Sequence, residues 1–201
     1  MRELVLVGGG GHARACLDVI EAAGYLPVGI LDRDEAAGNT LLGVPVIGTD
    51  AEMESLVARG VSFLVAVGQI GISEVRRCLF AQLVALGADL PAIIAPTARV
   101  SPHAAVGRGT IVMHMALIGP AAQVGENCII NSRALVEHDA CIGNHCHVAT
   151  GAVVNGGCLV EEGSFIGSGA LLKQGIRIGR QAVVGMGAVV RRDVADGEVV
   201  R

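Results

Sequence analysis

The sequence predicts a parallel α/β unit followed by a parallel β-helix, and three patterns lead to this prediction. Strand-like and helix-like segments alternate through the first 91 residues. From Ile94 to Val190 an aliphatic residue then recurs at every sixth position, seventeen times without a gap. Mostly small residues recur two positions earlier, as at Ala116 and Ala134. A period of six fits neither an α-helix nor a hairpin sheet, but it fits short strands stacked coil upon coil.

The α/β unit is expected to span residues 1–91 and the β-helix residues 92–201. Strands are predicted at 3–7, 27–31 and 62–67, and helices at 13–23, 51–58 and 73–86. The last of these helices is predicted to turn Arg76 and Arg77 toward solvent. Because strands and helices alternate, the strands should form one parallel sheet with helices on its faces.

A run of four glycines, Gly8 to Gly11, joins the first strand to the first helix. Such a loop lets the backbone approach a phosphate, and the helix N-terminus offers free N–H groups. With Ala13, and with Asp32 after the second strand, it approximates a dinucleotide fingerprint, which makes a dehydrogenase one alternative. The unit has room for only half of a two-lobed dinucleotide domain, which disfavours that alternative. The other alternative is a ligand-free tight turn, although four glycines exceed what a turn requires.

Composition argues against several classes of partner. A net charge of −4 and 2% aromatic residues provide neither a basic footprint nor stacking platforms for nucleic acid. The sequence shows no apolar stretch of about 18 residues and no signal-peptide pattern, so we expect no membrane span and a cytoplasmic location. The six cysteines should therefore be reduced, with Cys128, Cys146 and Cys158 packed in the small-residue column.

A glycine often follows the aliphatic residue of the repeat, as in Ile118-Gly119 and Ile142-Gly143. This pattern resembles the hexapeptide-repeat acyltransferases. Together with the Gly-x-x-Gly-His loop at Gly8 to His12, the whole chain resembles the bacterial sugar O- and N-acetyltransferases of the PglD and NeuD type. The resemblance implies a Rossmann-like N-terminal domain, a left-handed β-helix of three hexapeptides per coil, and a homotrimer with active sites between subunits. It also implies acetyl-CoA as co-substrate and a nucleotide-linked amino sugar as acceptor, N-acetylated by direct attack on the thioester.

The family's catalytic segment matches Ile130 to Asp139, and by this resemblance His138 is the general base. Acyl transfer to an amine requires removal of a proton from the nucleophile, and imidazole titrates near neutral pH. Asp139, preferred here over Glu137, would orient the imidazole and stabilise its charged form. Residues 18 apart should stack on adjacent coils, which places Gly156 over His138. The Gly156 N–H would then stabilise an oxyanion, or alternatively this glycine only turns a corner.

The resemblance assigns the remaining site residues by position. Nucleotide binding falls to Gly10, Gly11, His12, Asp32 and Gly68, and contact with acetyl-CoA falls to His147, Ser168 and Met186. Three further histidines, His103, His114 and His145, are predicted to be solvent-exposed turn residues. Possible metal ligands crowd residues 138–147, but no metal site is expected, because Cys146 should point inward while His145 and His147 point outward.

Two other functions stay open at this point. An O-acetyltransferase acting on sialic acid or a similar sugar would use the same base and donor. A non-catalytic β-helix scaffold is the second, since a fold does not fix a function. The sequence departs from the family at Gly68-Gln69-Ile70-Gly71, which replaces a Gly-Asn step, and by stopping before the usual Gly-x-Pro-Ala segment. These motifs do not specify the sugar, the nucleotide or the length of the acyl chain.

Overall fold

The computed structural model describes residues 2–33, 39–72 and 74–201. Its α/β unit consists of β1 (Arg2–Val7), α1 (Gly11–Ala22), β2 (Tyr25–Leu31), β3 (Thr40–Leu41), β4 (Val44–Gly48), a 3-10 turn (Asp50–Glu52), α2 (Met53–Ala58), β5 (Ser62–Val65) and α3 (Glu74–Ala85). The strand order is β3-β4-β2-β1-β5, and only β3 pairs antiparallel in the described sheet. The predicted parallel sheet therefore forms, and it gains two strands, β3 and β4, that the sequence did not indicate. Ser73, the predicted start of the last helix, lies outside the described residues.

The β-helix is built from strands of two residues each. They are β6 (Ile93–Ile94), β7 (Arg99–Val100), β8 (Ala105–Val106), β9 (Ile111–Val112), β10 (Leu117–Ile118), β11 (Gln123–Val124), β12 (Ile129–Ile130), β13 (Leu135–Val136), β14 (Cys141–Ile142), β15 (His147–Val148), β16 (Val153–Val154), β17 (Leu159–Val160), β18 (Phe165–Ile166), β19 (Leu171–Leu172), β20 (Arg177–Ile178), β21 (Val183–Val184), β22 (Val189–Val190) and β23 (Val199–Val200).

These strands form three parallel sheets, which we call faces 1, 2 and 3. Face 1 contains β6, β9, β12, β15, β18, β21 and β23, face 2 runs from β7 to β22, and face 3 runs from β8 to β20. From β6 to β19 each strand pairs with the strand 18 residues later, as Ile129 pairs with His147. The repeat thus closes one coil every three hexapeptides.

The interior of the coil holds the two predicted columns. From Val112 onward the aliphatic residues are buried, whereas Ile94 at the first coil is partly exposed, because that coil has a neighbour on one side only. Small polar side chains in the second column also form hydrogen bonds with the adjacent coil. Cys128 and Cys146 each donate a thiol hydrogen bond over 3.1 Å to the carbonyl oxygen 15 residues later. Their inward position is as predicted.

The α/β unit packs against face 1. The outward residues Ile93, Ile111 and Ile129 of this face form one buried cluster with Leu17 and Ile20 of α1. Over β6, β9 and β12, face 1 is therefore apolar on both sides, and this part of it packs against the α/β unit.

Arg76 joins the two units from α3, and its side chain is buried with 1% exposure. Its guanidinium donates to the carbonyl oxygens of Val65, of Val67 (3.0 Å) and of Asn127 (3.3 Å) in the β-helix. Burial lowers the pKa of Arg76 to about 10, so it stays charged at neutral pH. The prediction that Arg76 faces solvent is wrong, because α3 fills the gap between the sheet and the β-helix. Its neighbour Arg77 reaches the surface.

Candidate active site

The turn between β13 and β14 carries the predicted catalytic group. His138 is 52% exposed in its side chain, and its Nδ1 lies 2.7 Å from Asp139 Oδ2. Because a carboxylate only accepts hydrogen bonds, Nδ1 carries the proton and Nε2 keeps a free lone pair. This hydrogen bond raises the pKa of His138. Glu137 instead accepts the backbone N–H of His138 over 3.3 Å, so it does not orient the imidazole.

Gly156 lies against the His138 ring on the next coil. A Cβ atom there would come within 2.7 Å of Nε2 and Cε1 of His138. Gly156 does not adopt a positive φ, unlike its neighbour Gly157 at +65°, so the ring and not the backbone conformation requires glycine. Gly157 donates to the His138 carbonyl oxygen over 3.0 Å, whereas the Gly156 N–H donates to no acceptor among the described residues. Gly156 therefore lies beside the proton-accepting atom, and its N–H has no acceptor in the described part of the chain.

A cavity of about 620 Å³ opens at the carboxyl ends of β1, β2 and β5. Its walls include all five residues predicted to bind the nucleotide, Gly10, Gly11, His12, Asp32 and Gly68. Further residues line it as well, and the sequence motifs point to only the last of them as a site residue: Arg33, Asp50, Gln69, Ile70 and His147. This crevice is where open α/β sheets bind their ligands.

The glycine loop has a fixed shape in this cavity. Asp32 accepts a hydrogen bond from the Gly9 N–H, and a Cβ atom on Gly9 would come within 2.7 Å of that carboxylate. No side chain caps α1 at Gly10, so its first N–H groups are available to a phosphate. Gly68 has a packing role, because a Cβ atom there would lie 3.1 Å from that of His12.

Two neutral histidines form the inner end of the cavity. Burial, with contributions from Arg76 and His147, lowers the pKa of His12 to about 4. Burial also lowers the pKa of His147 to about 4. His147 Nδ1 donates to the Gln69 carbonyl oxygen over 2.7 Å, so Nε2 accepts from Asn131 Nδ2 at 3.1 Å.

The predicted contacts with acetyl-CoA separate into two places. His147 points outward from face 1, as predicted, but it is only 7% exposed because the loop at Gln69 covers it. Ser168 and Met186 occupy exposed turns on later coils, with Met186 83% exposed. His138 lies at the corner between faces 2 and 3, whereas the cavity lies against face 1. One chain therefore does not bring the base to the cavity.

The three other histidines differ in environment. His103 is exposed, as predicted. The prediction is wrong for His114, whose Nε2 lies 3.0 Å from Asp18 Oδ2 of α1. It is also wrong for His145, which packs edge-on against Phe80 of α3 at 5.6 Å between ring centres. Both turns lie beside helices of the α/β unit, which cover them.

The described parts of the chain contain neither a metal-binding cluster nor a membrane-spanning helix. No group of three or more His, Cys, Asp or Glu side chains in residues 2–33, 39–72 and 74–201 is arranged to hold a metal ion. Within the same ranges, no helix is long and apolar enough to cross a bilayer.

Comparison with known proteins identifies the family. The PglD N-terminal domain family matches residues 3–83, the bacterial transferase hexapeptide family (six repeats) matches 121–156, and the hexapeptide repeat of succinyl-transferase matches 159–192. The acetyltransferase domain of PglB from Neisseria gonorrhoeae FA1090, solved with acetyl coenzyme A, is 34% identical with a TM-score of 0.91, over 98% of this chain and 95% of that chain. The chain belongs to the bacterial hexapeptide-repeat sugar acetyltransferases. It is an acyltransferase of this family.

A second relative binds a sugar nucleotide. A histidine-to-alanine variant of GDP-perosamine N-acetyl transferase from Caulobacter crescentus, in complex with CoA and GDP-perosamine, is 34% identical with a TM-score of 0.91, over 99% of this chain and 93% of that chain. WeeI from Acinetobacter baumannii AYE shares the fold at 21% identity and a TM-score of 0.63. No curated protein matches the chain. Family membership confirms the predicted fold class, a Rossmann-like α/β domain followed by a left-handed parallel β-helix.

Proposed function

We propose that this sugar acetyltransferase moves an acetyl group from acetyl-CoA to the amine of a nucleotide-linked amino sugar. The observation that carries the proposal is the His138–Asp139 pair, with Nδ1 held at 2.7 Å and Nε2 facing Gly156 on the next coil. In this scheme residues 1–91 bind the nucleotide and residues 92–201 carry the chemistry. We expect this reaction to take place in the cytoplasm, where coenzyme A thioesters are formed and used.

The reaction needs one proton acceptor and one oxyanion donor. The sugar amine attacks the thioester carbonyl carbon while His138 Nε2 takes its proton, and Asp139 stabilises the resulting imidazolium. Negative charge gathers on the carbonyl oxygen and is met by the Gly156 N–H. The tetrahedral intermediate then expels the coenzyme A thiolate, which takes the proton from His138. The amide product and free coenzyme A leave, and the base is regenerated.

A second copy of the chain is needed to complete this site. Face 2, which borders the His138 turn, exposes an apolar column of Leu117, Leu171 and Val189. We propose that this column forms the subunit interface of a homotrimer, because water-exposed aliphatic columns of this kind are typical of association surfaces. Packing there would bring His138 of one subunit toward the cavity of its neighbour. The exposed Ser168 and Met186 would then contact acetyl-CoA beside the same interface.

The test is an acetyl-transfer assay with a His138→Ala variant. Loss of the base should lower kcat by about 10²–10⁴ while acetyl-CoA binding and oligomeric state stay unchanged. Full activity of the variant would contradict the mechanism. Amine-bearing and hydroxyl-bearing sugar nucleotides should be compared in the same assay, because preference for a hydroxyl would identify an O-acetyltransferase. A protein that binds no acetyl-CoA would be a scaffold.

A further inference from the structure

The cavity wall includes a carboxylate that the acetyl-transfer scheme does not use. Asp50 starts the 3-10 turn that follows β4, and it lines the cavity, as does Arg33. Within residues 2–33, 39–72 and 74–201, no donor or cation pairs with the Asp50 carboxylate. Glu52 in the same turn is engaged, since it accepts the Thr49 N–H over 2.7 Å in a capping box. The turn is thus fixed, while the Asp50 side chain is available to a ligand.

The strand order decides which part of a nucleotide reaches Asp50. In sheets of this type phosphates lie on the loop after the first strand, and the ribose lies over the end of the neighbouring strand. Here these are the glycine loop after β1 and Asp32 after β2, and β4 continues on the same side to Asp50. On the opposite side, β5 leads to Gly68 and the β-helix. A nucleotide with phosphates on the glycine loop therefore directs its base toward Asp50 and its sugar toward the β-helix.

We infer that the base is guanine and that Asp50 recognises it, an inference that rests on the acetyl-transfer function proposed above. An ionised carboxylate is an acceptor only. The Watson–Crick edge of guanine presents two adjacent donors, N1–H and the 2-amino group, which one carboxylate accepts in parallel. Uracil has a single N–H between two carbonyl oxygens, and adenine and cytosine pair an amino group with a ring-nitrogen acceptor. In each of these bases an acceptor would face a carboxylate oxygen, which disfavours binding.

Arg33 supports the same assignment from the end of β2. It is exposed, lines the same cavity as Asp50, and carries a planar cation. A guanidinium of this kind stacks on the face of an aromatic base, and a purine offers it a larger surface than a pyrimidine.

Calorimetric titration of the full chain with nucleoside diphosphates tests the inference. GDP should bind at least about tenfold more tightly than UDP, CDP or ADP. In Asp50→Asn one acceptor becomes a donor, and xanthine, with a carbonyl in place of the 2-amino group, complements that amide. The variant should therefore bind xanthosine diphosphate more tightly than GDP. A Glu54→Gln control removes the same charge from the next helix, outside the cavity, and should keep the preference for GDP.

Each outcome decides one of the two hypotheses. Equal or tighter binding of UDP, CDP or ADP by the unmodified protein would overturn the guanine assignment, as would an unchanged ratio of GDP to xanthosine diphosphate affinity in Asp50→Asn. Either result leaves the proposed acetyl transfer standing. An unfolded variant cannot mimic success, because the expected result is a gain of xanthosine diphosphate binding. If the unmodified protein binds acetyl-CoA but none of these nucleotides, the nucleotide-linked acceptor is itself wrong.

Discussion

His138 Nδ1 lies 2.7 Å from Asp139 Oδ2, and the two residues are sequence neighbours in one turn of the β-helix. Asp139 has a φ of +59°, a left-handed conformation that is uncommon outside glycine. Met115, Arg133 and His145 adopt it in other turns, so it is a property of the coil and not of the site. The imidazole tautomer is therefore fixed locally, without a group from a distant element.

This pairing gives a defined pH dependence. The Asp139 hydrogen bond raises the pKa of His138, and only the neutral imidazole accepts a proton. Activity should thus fall as pH falls through that raised pKa, above the ordinary value for histidine. In Asp139→Asn the acid limb of kcat/KM should move to lower pH, and the plateau should drop by about 10²–10⁴ because the tautomer is no longer fixed.

Glu137→Gln is the matched control for that profile. The Glu137 carboxylate accepts a hydrogen bond from the backbone N–H of His138 rather than from the ring. The acid limb of kcat/KM should therefore move less in this variant than in Asp139→Asn. If the limb stays in place in both variants, a group other than His138 controls the acid side of the profile.

Two adjacent glycines are required for different reasons. Gly156 is required because the His138 ring lies close to it, and Gly157 because its backbone has a positive φ. An alanine Cβ at residue 156 would lie 2.7 Å from His138 Nε2, so Gly156→Ala should displace the ring and lower kcat by about 10²-fold, with little loss of stability. At residue 157 a Cβ would meet open space, but φ is +65°, so Gly157→Ala should cost about 1–2 kcal/mol of unfolding free energy and keep kcat. Steady-state kinetics and urea unfolding check both. The same loss of kcat in both variants would contradict a specific role for Gly156.

Most of the β-helix could be predicted from the sequence. Its six-residue period is a local pattern that identifies the inward column, and the family resemblance supplied three hexapeptides per coil and hence the 18-residue stacking register. From that register the position of Gly156 over His138 followed directly. The packing of the two units did not follow, because nothing in the period says which face is covered. Arg76, His114 and His145 were misplaced for this reason, since all three are covered where helices of the α/β unit meet the β-helix.

Within the cavity, recognition of the glycine loop and Asp32 came from their order along the chain. Asp50 and Arg33 were missed, although both follow strands whose ends form the crevice. Ligands of parallel sheets bind at the carboxyl ends of the strands, and this rule points to both residues. Applying it requires the strand order, which only the structure supplies. The cover over His147 could not be predicted either, because the Gln69 carbonyl that holds it is a backbone group.

Arg76 should contribute strongly to stability. Its guanidinium bonds three backbone carbonyl oxygens, including Asn127 in the β-helix, so Arg76→Met would leave buried acceptors without donors. We expect a loss of about 3 kcal/mol or more in the free energy of unfolding. Arg77→Met is the control on the same helix. Arg77 makes ion pairs only with the partly exposed side chains of Glu74 and Glu162, so its loss should lower the free energy of unfolding by about 1 kcal/mol or less. Urea titrations of the two variants give the difference, and equal losses would mean that Arg76 does not anchor the interface.

Substitution of two leucines on different faces, whose side chains are nearly equally exposed, tests the trimer proposal. Leu171 on face 2 is 42% exposed, and Leu159 on face 3 is 41% exposed. A charge in the apolar column of face 2 would be buried without a partner on association, so Leu171→Glu should yield monomers by sedimentation and lose acetyl transfer. Leu159→Glu introduces the same charge outside that column, and its oligomeric state should be unchanged. Because His138 and the cavity of one chain lie on different faces, activity of Leu171→Glu should return at protein concentrations that restore assembly. A fully active monomer would show that one chain completes the site alone.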